Sequence, residues 1–94
     1  MDLRNPKLQE LTDTVLFGDI WLRTELSPRD RSLITVAALF ALSRQEQLPI
    51  HLSRALENGV THTELGEVVT HLAFYAGWPA AHSAALRLTE MGGQ

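Results

Sequence analysis

The stretch SPRDRSLITVAALFALSRQEQLPIHLSRALENG, residues 27–59, carries the local signals that decide the fold. Ser27–Asp30 combines a capping serine, a proline at the first helical position and an acid in the first turn, which is typical of a helix start. Ser43–Glu46 matches a capping box and predicts that the helix breaks and restarts there. Asn58–Gly59 then predicts a left-handed cap. The stretch therefore indicates two consecutive helices.

The rest of the chain continues this pattern. Pro6 can open a first helix, and Thr61–Glu64 is a second capping box. Gly77 predicts the end of that helix, and Trp78–Pro79 the start of the last one. Apolar residues recur at helical spacing and no segment alternates as a strand does. The sequence predicts an all-α fold of about five helices in a single domain, residues 1–94.

The helix after Ser27 is expected to be central, or shared between subunits, because it is apolar nearly all round. Its predicted apolar face consists of Leu33, Ile34, Ala37, Ala38, Ala41 and Leu42. A domain of 94 residues buries a modest share of its surface, so association with copies of itself would stabilise it. Residues 1–5 and 92–94 are expected to fray.

Composition excludes several classes of function. The net charge is −3 and no block of Lys or Arg occurs, which argues against a nucleic-acid partner. The chain has no cysteine, which removes disulfides, thiolate metal sites and thiol redox chemistry. The longest apolar stretch is too short to span a bilayer and no signal-peptide pattern appears. The expected location is the cytoplasm, away from membranes.

His51 is the first candidate for chemistry. If the helix restarts at Ser43, Arg44 and Gln47 precede His51 on nearly the same helix line, giving a cation, an amide and an imidazole in one column. The alternative is a core histidine bonded to a backbone carbonyl. Pro49 either is tolerated in an early turn or kinks the helix toward a pocket. Glu46 either caps the helix or acts as an acid–base partner of His51.

The next helix offers a second group of candidates. Glu67 and His71 are four residues apart, as are His71 and Tyr75, so they form either a solvated face or one wall of a site. Trp78 lies in a turn, where it can cover a pocket or a subunit interface. A metal site is weakly supported, because no second pair of ligands has metal spacing. The sequence predicts no metal.

Four blocks of this chain resemble one known family: FGDIW (17–21), LSPRDRSLITVAAL (26–39), RQEQLPIHLSRALENGVT (44–61) and EVVTHLAFYAGWPAA (67–81). Together, in this order and spacing, they resemble the carboxymuconolactone decarboxylase family, over roughly residues 15–90. The resemblance implies an alkylhydroperoxidase-D-like helical fold and an obligate homotrimer or homohexamer. It also implies a cofactor-free decarboxylase of 4-carboxymuconolactone, as found in aromatic catabolism.

The resemblance assigns roles to the candidates. His51 would donate or shuttle a proton, and Glu46 would orient it. Arg44 would hold a carboxylate of a small-molecule substrate, and Gln47 or His71 would stabilise the developing oxyanion. Tyr75 and Trp78 complete the expected substrate-binding set.

A peroxide-reducing branch of the family uses two cysteines followed by a histidine. The histidine falls at His51 and the cysteine positions at Arg44 and Gln47, so this chain, which lacks thiols, is excluded as a dithiol peroxidase. Two alternatives to the decarboxylase stay open. One is a thiol-free relative with another proton-transfer or oxidoreductase reaction, and the other is a non-catalytic helical oligomer that binds a small molecule.

Overall fold

The computed structural model describes residues 4–91. Of the ends predicted to fray, 1–5 and 92–94, residues 1–3 and 92–94 lie outside that range, and Asn5 is the N-cap of the first helix. Within residues 4–91, the chain forms five α-helices, a π-helical turn and a 3-10 turn, and no strand. The helices are α1 (Pro6–Leu11), α2 (Pro28–Ala41), α3 (Leu48–Glu57), α4 (His62–Ala76) and α5 (Trp78–Glu90). Thr12–Leu16 is the π-helical turn and Ile20–Leu22 the 3-10 turn. The prediction of an all-α fold with about five helices is confirmed.

The predicted starts of α2 and α4 are confirmed in atomic detail. The N–H of Asp30 donates to the hydroxyl of Ser27 at 3.0 Å. At α4, the N–H of Glu64 donates to the Thr61 hydroxyl at 3.0 Å, and the N–H of Thr61 donates to the Glu64 carboxylate at 2.9 Å. This reciprocal pair is the capping box that the sequence predicts. At α1, the side chain of Asn5 is the cap, and it accepts one hydrogen bond from the N–H of Leu8.

The predicted capping box at Ser43–Glu46 is wrong. Ser43 is the left-handed residue that ends α2, with φ of 58°, and the N–H groups of Ser43 and Arg44 donate to the carbonyls of Phe40 and Leu39. This is the pattern of a Schellman C-cap. A turn follows, and α3 begins only at Leu48. Pro49 therefore lies in the first turn, where its missing N–H has no helical partner to lose, so it makes no kink.

The predicted C-cap at Asn58–Gly59 is confirmed. Gly59 has φ of 100°, and the N–H of Val60 donates to the carbonyl of Ala55 at 2.9 Å. Gly77 has the same φ and separates α4 from α5, as predicted. Both positions favour glycine because a Cβ is strained at positive φ.

The buried face of α2 differs from the predicted one. The residues that point into the core are Ser32, Val36 and Phe40, while Ile34 is 55% exposed and Leu42 62% exposed. The hydroxyl of Ser32 accepts a hydrogen bond from the side chain of Asn58 at 2.9 Å, which ties α2 to the end of α3. Because α2 is apolar nearly all round, its sequence alone does not select the face that packs.

Helix α2 is central, as expected, since it packs against α3, α4 and α5. Helix α5 packs against α3 and α4 as well, and the 3-10 turn packs on α2. The core is made of these buried side chains: Val36, Phe40, Leu48, Leu52, Ala55, Val60, Leu65, Ala73, Ala80, Ala81, Ala84 and Leu88. No helix within residues 4–91 is long and apolar enough to cross a membrane.

Candidate functional site

His51 lies one turn inside α3, next to the face that packs into the core. Leu48, Leu52 and Ala55 on that face are buried, and His51 itself is half-buried. Its Nδ1 atom is buried and has no hydrogen-bond partner among residues 4–91. The carbonyl-bonded core histidine that the sequence left as an alternative is therefore not the arrangement observed. An imidazole held in this way has one ring nitrogen without a hydrogen-bond partner in the described chain.

Arg54 lies one turn further along α3 and contacts two aromatic rings from the segment before α2. Its guanidinium carbon is 4.8 Å from the ring centre of Phe17 and 6.0 Å from that of Trp21. The two rings are stacked with centres 6.1 Å apart. Both distances are within the range of cation–π attraction. We call His51, Arg54, Phe17 and Trp21 the histidine–arginine cluster.

The charge of Arg54 is not balanced within the described chain. Its Nη1 atom is buried without a hydrogen-bond partner among residues 4–91, and no carboxylate there forms an ion pair with it. A cation in the last turn of α3 is favoured by the helix dipole, but the dipole does not supply a bond for Nη1. Such a group attracts an anion.

Electrostatics keep the imidazole of His51 uncharged in the free protein. Burial lowers the pKa of His51 below its usual value, and the positive charge of Arg54 lowers that pKa further. At neutral pH the ring is therefore neutral, with one nitrogen able to accept a proton.

The other candidates near His51 lie in the turn that precedes α3. Arg44, Glu46 and Gln47 are exposed, and no hydrogen bond or ion pair among the described residues joins their side chains to His51. Their contribution is through the backbone: the carbonyl of Gln47 accepts from the N–H of His51 at 3.4 Å. The predicted column of three side chains on one helix line is wrong, because α3 begins at Leu48.

His71, Tyr75 and Trp78 belong to two separate, exposed ring pairs on α4 and at the start of α5, which we together call the aromatic cluster. The rings of His71 and Tyr75 are 5.0 Å apart, and those of Phe74 and Trp78 meet edge-on at 5.2 Å. Tyr75 is 77% exposed and Trp78 63% exposed. No hydrogen bond, ion pair or ring contact within residues 4–91 links this aromatic cluster to the histidine–arginine cluster. A single chain therefore presents the candidates as two separate groups.

His71 also lines a groove of about 350 Å³ between α2 and α4. Its walls are apolar, and its rim carries the ion pair of Arg29 with Glu64. The pKa of Glu64 is lowered, first by the hydrogen bond from the backbone of Thr61. Burial opposes this shift, and the charge of Arg29 adds to the lowering. The pairing of Glu64 is explained by the cap of α4 and by its link to α2.

Residues 4–91 contain no group of three or more His, Asp or Glu side chains placed to hold a metal ion. Sequence reasoning did not select Arg54 or its aromatic partners as site residues. Phe17 and Trp21 do lie in FGDIW, one of the blocks on which the family resemblance rests. That block was the available signal that Phe17 and Trp21 matter, but its sequence does not indicate a contact with Arg54.

Comparison with known proteins gives consistent matches. Residues 6–91 match the model described as the carboxymuconolactone decarboxylase family. The chain is 40% identical over 80 residues to "4-carboxymuconolactone decarboxylase" of Acinetobacter baylyi, an alignment that covers 85% of this chain and 60% of that protein. It is 36% identical over 76 residues to a "nitrosuccinic acid decarboxylase" of Metarhizium robertsii, covering 81% and 53%. The chain thus spans roughly half to three fifths of the length of these curated relatives.

Proposed function

The chain belongs to the carboxymuconolactone decarboxylase family, and on this basis we propose that it decarboxylates a small carboxylated substrate without a cofactor. A lactone like 4-carboxymuconolactone is the first candidate substrate, which would place the protein in aromatic catabolism. The two relatives are named for different acids, and both names describe loss of a carboxylate. That shared reaction supports a decarboxylase more strongly than it supports either acid.

The observation that carries the proposal is the state of His51: half-buried, with a buried Nδ1 that has no partner in the described chain, beside a cation. Decarboxylation breaks the bond between carbon and the carboxylate, and the electron pair moves into the adjacent conjugated system. Carbon dioxide leaves, and a proton must return to carbon. An imidazolium can supply that proton and then regain one from water.

The lowered pKa of His51 fits this role once an anion binds. In the free protein, burial and Arg54 favour the neutral ring. A substrate carboxylate beside Arg54 would offset the repulsion, which is the smaller of the two effects that lower the pKa of His51, and would thereby favour the protonated imidazole that donates the proton. Burial around His51 also disfavours the charged carboxylate relative to neutral carbon dioxide, which promotes its loss.

The remaining candidates take secondary roles in the proposal. Arg44, Glu46 and Gln47 lie exposed in the turn before α3, from which they would contribute to the rim of the site. His71, Tyr75 and Trp78 lie in the aromatic cluster, and they would join a site only through a neighbouring subunit or a substrate that bridges the clusters.

We also propose a homotrimer or homohexamer. Support comes from large apolar side chains that the single chain leaves exposed, among them Ile34 at 55% and Phe74 at 73%. Exposed apolar surface of this kind marks association surfaces. Light scattering should give a mass of three or six chains, and a monomer at micromolar concentration would contradict the proposal.

The test of function is an ultraviolet assay with 4-carboxymuconolactone on the wild type, His51→Ala and the matched control His82→Ala. His82 is an exposed histidine on α5. Loss of a proton donor should reduce kcat by about 10²–10⁴-fold in His51→Ala, whereas His82→Ala should behave as the wild type. Circular dichroism should show that both variants fold.

Two results would contradict parts of the proposal separately. Turnover that survives in His51→Ala would remove His51 as the proton donor. A wild type that consumes neither 4-carboxymuconolactone nor nitrosuccinate nor related small carboxylates would overturn the decarboxylase assignment and favour a non-catalytic binding oligomer.

A further inference from the structure

Arg54 differs from Arg23, Arg29, Arg31 and Arg87 in that no acceptor within residues 4–91 bonds to its guanidinium. Arg23, Arg29 and Arg87 form ion pairs with carboxylates. Arg31 donates to the backbone carbonyl of Arg23 at 3.2 Å through Nη2, although its Nε is also buried without a partner among residues 4–91. Arg54 instead packs its guanidinium on Phe17 and Trp21 and has a buried Nη1 with no acceptor among residues 4–91. Neither helix capping nor an ion pair explains this arrangement.

Stacking on the two rings fixes the guanidinium and leaves its buried Nη1 without an acceptor among residues 4–91. The faces of a guanidinium pack on aromatic rings, and its N–H donors point outward in its own plane. A planar carboxylate can accept two of these donors side by side, which is the geometry that arginine recognises best. The aromatic pair thus holds the donors ready, so less side-chain freedom is lost when an anion binds.

The position of Arg54 relative to His51 limits the size of the ligand. Residues three apart on a helix have Cβ atoms about 5–6 Å apart. An anion on Arg54 therefore has its neighbouring carbons within a few bonds of the imidazole. Arg54 also lines an open groove on the outer side of α3 with Pro49, Ile50, Ser53 and Glu57, which gives access from solvent. Glu57 forms no ion pair with Arg54 among residues 4–91, and His51 does not line this groove.

We propose that Arg54 binds the carboxylate that the substrate retains, and thereby selects small dicarboxylates whose second carboxylate is lost beside His51. This rests on the proposed decarboxylase function. It moves the carboxylate-binding role from Arg44, to which the family resemblance assigns it, to an arginine further along α3. Arg44 is exposed and its side chain makes no hydrogen bond or ion pair with the rest of residues 4–91, so water already satisfies it.

Binding is tested directly by calorimetry with succinate, a small unreactive dicarboxylate, and with succinamide, its uncharged analogue. The proteins are the wild type, Arg54→Gln, Arg54→Lys, Arg44→Gln and the control Arg87→Gln. Loss of a charge-assisted pair should weaken succinate binding by roughly 10- to 100-fold in Arg54→Gln. Arg54→Lys should keep part of the affinity, because it retains the charge but not the planar pair of donors. Arg87→Gln should match the wild type, and succinamide should bind none of them.

Kinetics separate this proposal from the function on which it rests. Arg54→Gln should raise KM with a smaller change in kcat, whereas His51→Ala lowers kcat. If His51→Ala abolishes turnover while Arg54→Gln keeps the wild-type KM and succinate affinity, the role of Arg54 is overturned and the decarboxylase stands. If succinate binds through Arg54 but the wild type decarboxylates nothing, the anion contact stands and its role in catalysis falls.

A third readout covers the case in which Arg54→Gln fails to fold. In the wild type, the Nε–H resonance of Arg54 should shift on titration with succinate and stay unchanged with succinamide. A resonance that does not move with succinate overturns the proposal. A loss of succinate affinity in Arg44→Gln with Arg54→Lys unaffected would also overturn it, in favour of Arg44.

Discussion

Replacing Leu48 with alanine should destabilise the protein strongly, because this side chain anchors the start of the helix that carries His51. Leu48 is the first residue of α3 and is 1% exposed. The change removes three buried carbons, about 2.4 kcal/mol at ~0.8 kcal/mol for each buried carbon. The cavity left behind raises the expected loss to about 3 kcal/mol. A chain of 94 residues has a total stability of roughly 5–14 kcal/mol, so the loss is a large fraction of the whole.

Urea unfolding followed by circular dichroism measures this loss as a lower midpoint at an unchanged slope. Leu22→Ala is the matched control, because it deletes the same atoms from a side chain that is 70% exposed. It should change the free energy of unfolding by less than about 0.5 kcal/mol. Repeating both at two protein concentrations separates packing within the chain from any association. Equal losses in Leu48→Ala and Leu22→Ala, independent of concentration, would refute the packing account of the α3 start.

Three further predictions concern backbone, charge and capping, each measured by urea unfolding. Ser43→Gly should stabilise the fold by about 0.5–1 kcal/mol, because it relieves a serine in the left-handed region. Gly59→Ala, at φ of 100°, should destabilise the fold by about 1 kcal/mol. A change of the free energy of unfolding in the same direction for both variants would contradict this. Burial and Arg54 lower the pKa of His51 in the folded protein below 6.5. As the pH falls, the unfolded state therefore takes up the proton before the folded state does. The free energy of unfolding should be highest above about pH 6.5 and should decrease as the pH falls toward the pKa of folded His51. His51→Gln should remove that part of the pH dependence, and an unchanged slope would show that other groups cause it. Thr61→Ala should cost about 1 kcal/mol by removing the cap of α4, and no loss would mean that water replaces the cap.

The ends of the helices were predictable where a side chain bonds to the backbone of residues close to it in sequence. Ser27 and Thr61 bond to N–H groups three residues away, so a few letters of sequence contain the whole interaction. Gly59 and Gly77 were predictable for the same reason, since a positive φ is a property of one residue. Ser43 was misassigned because serine also serves as an N-cap. A glycine in its place would have indicated the C-cap.

The buried face of α2 was not predictable, for a different physical reason. Leu33 and Ile34 are as apolar as Val36 and Phe40, so hydrophobicity does not rank the faces. The row that packs contains a serine, Ser32, which is stabilised by Asn58 at the far end of α3. A polar residue in the core needs a partner, and that partner becomes known only once the helices are placed.

The candidate site was half predictable. His51 was selected correctly as a residue on the core side of its helix, because the spacing of its apolar neighbours is local. Arg54 was passed over, since a cation in the last turn of a helix is ordinary on sequence grounds. Its significance depends on Phe17 and Trp21, which come from a distant part of the chain. A contact of this kind leaves no periodic pattern in either segment.

The two aromatic rings of the histidine–arginine cluster and the buried core of the protein come from separate parts of the chain. Phe17 and Trp21 belong to the segment before α2, while the buried core is formed by residues from Val36 onward. If Arg54 binds the substrate as proposed, substitutions at Phe17 and Trp21 would therefore alter which acids are accepted while the buried core remains intact. A directed-evolution library confined to residues 15–22 would change the substrate contact without changing the core.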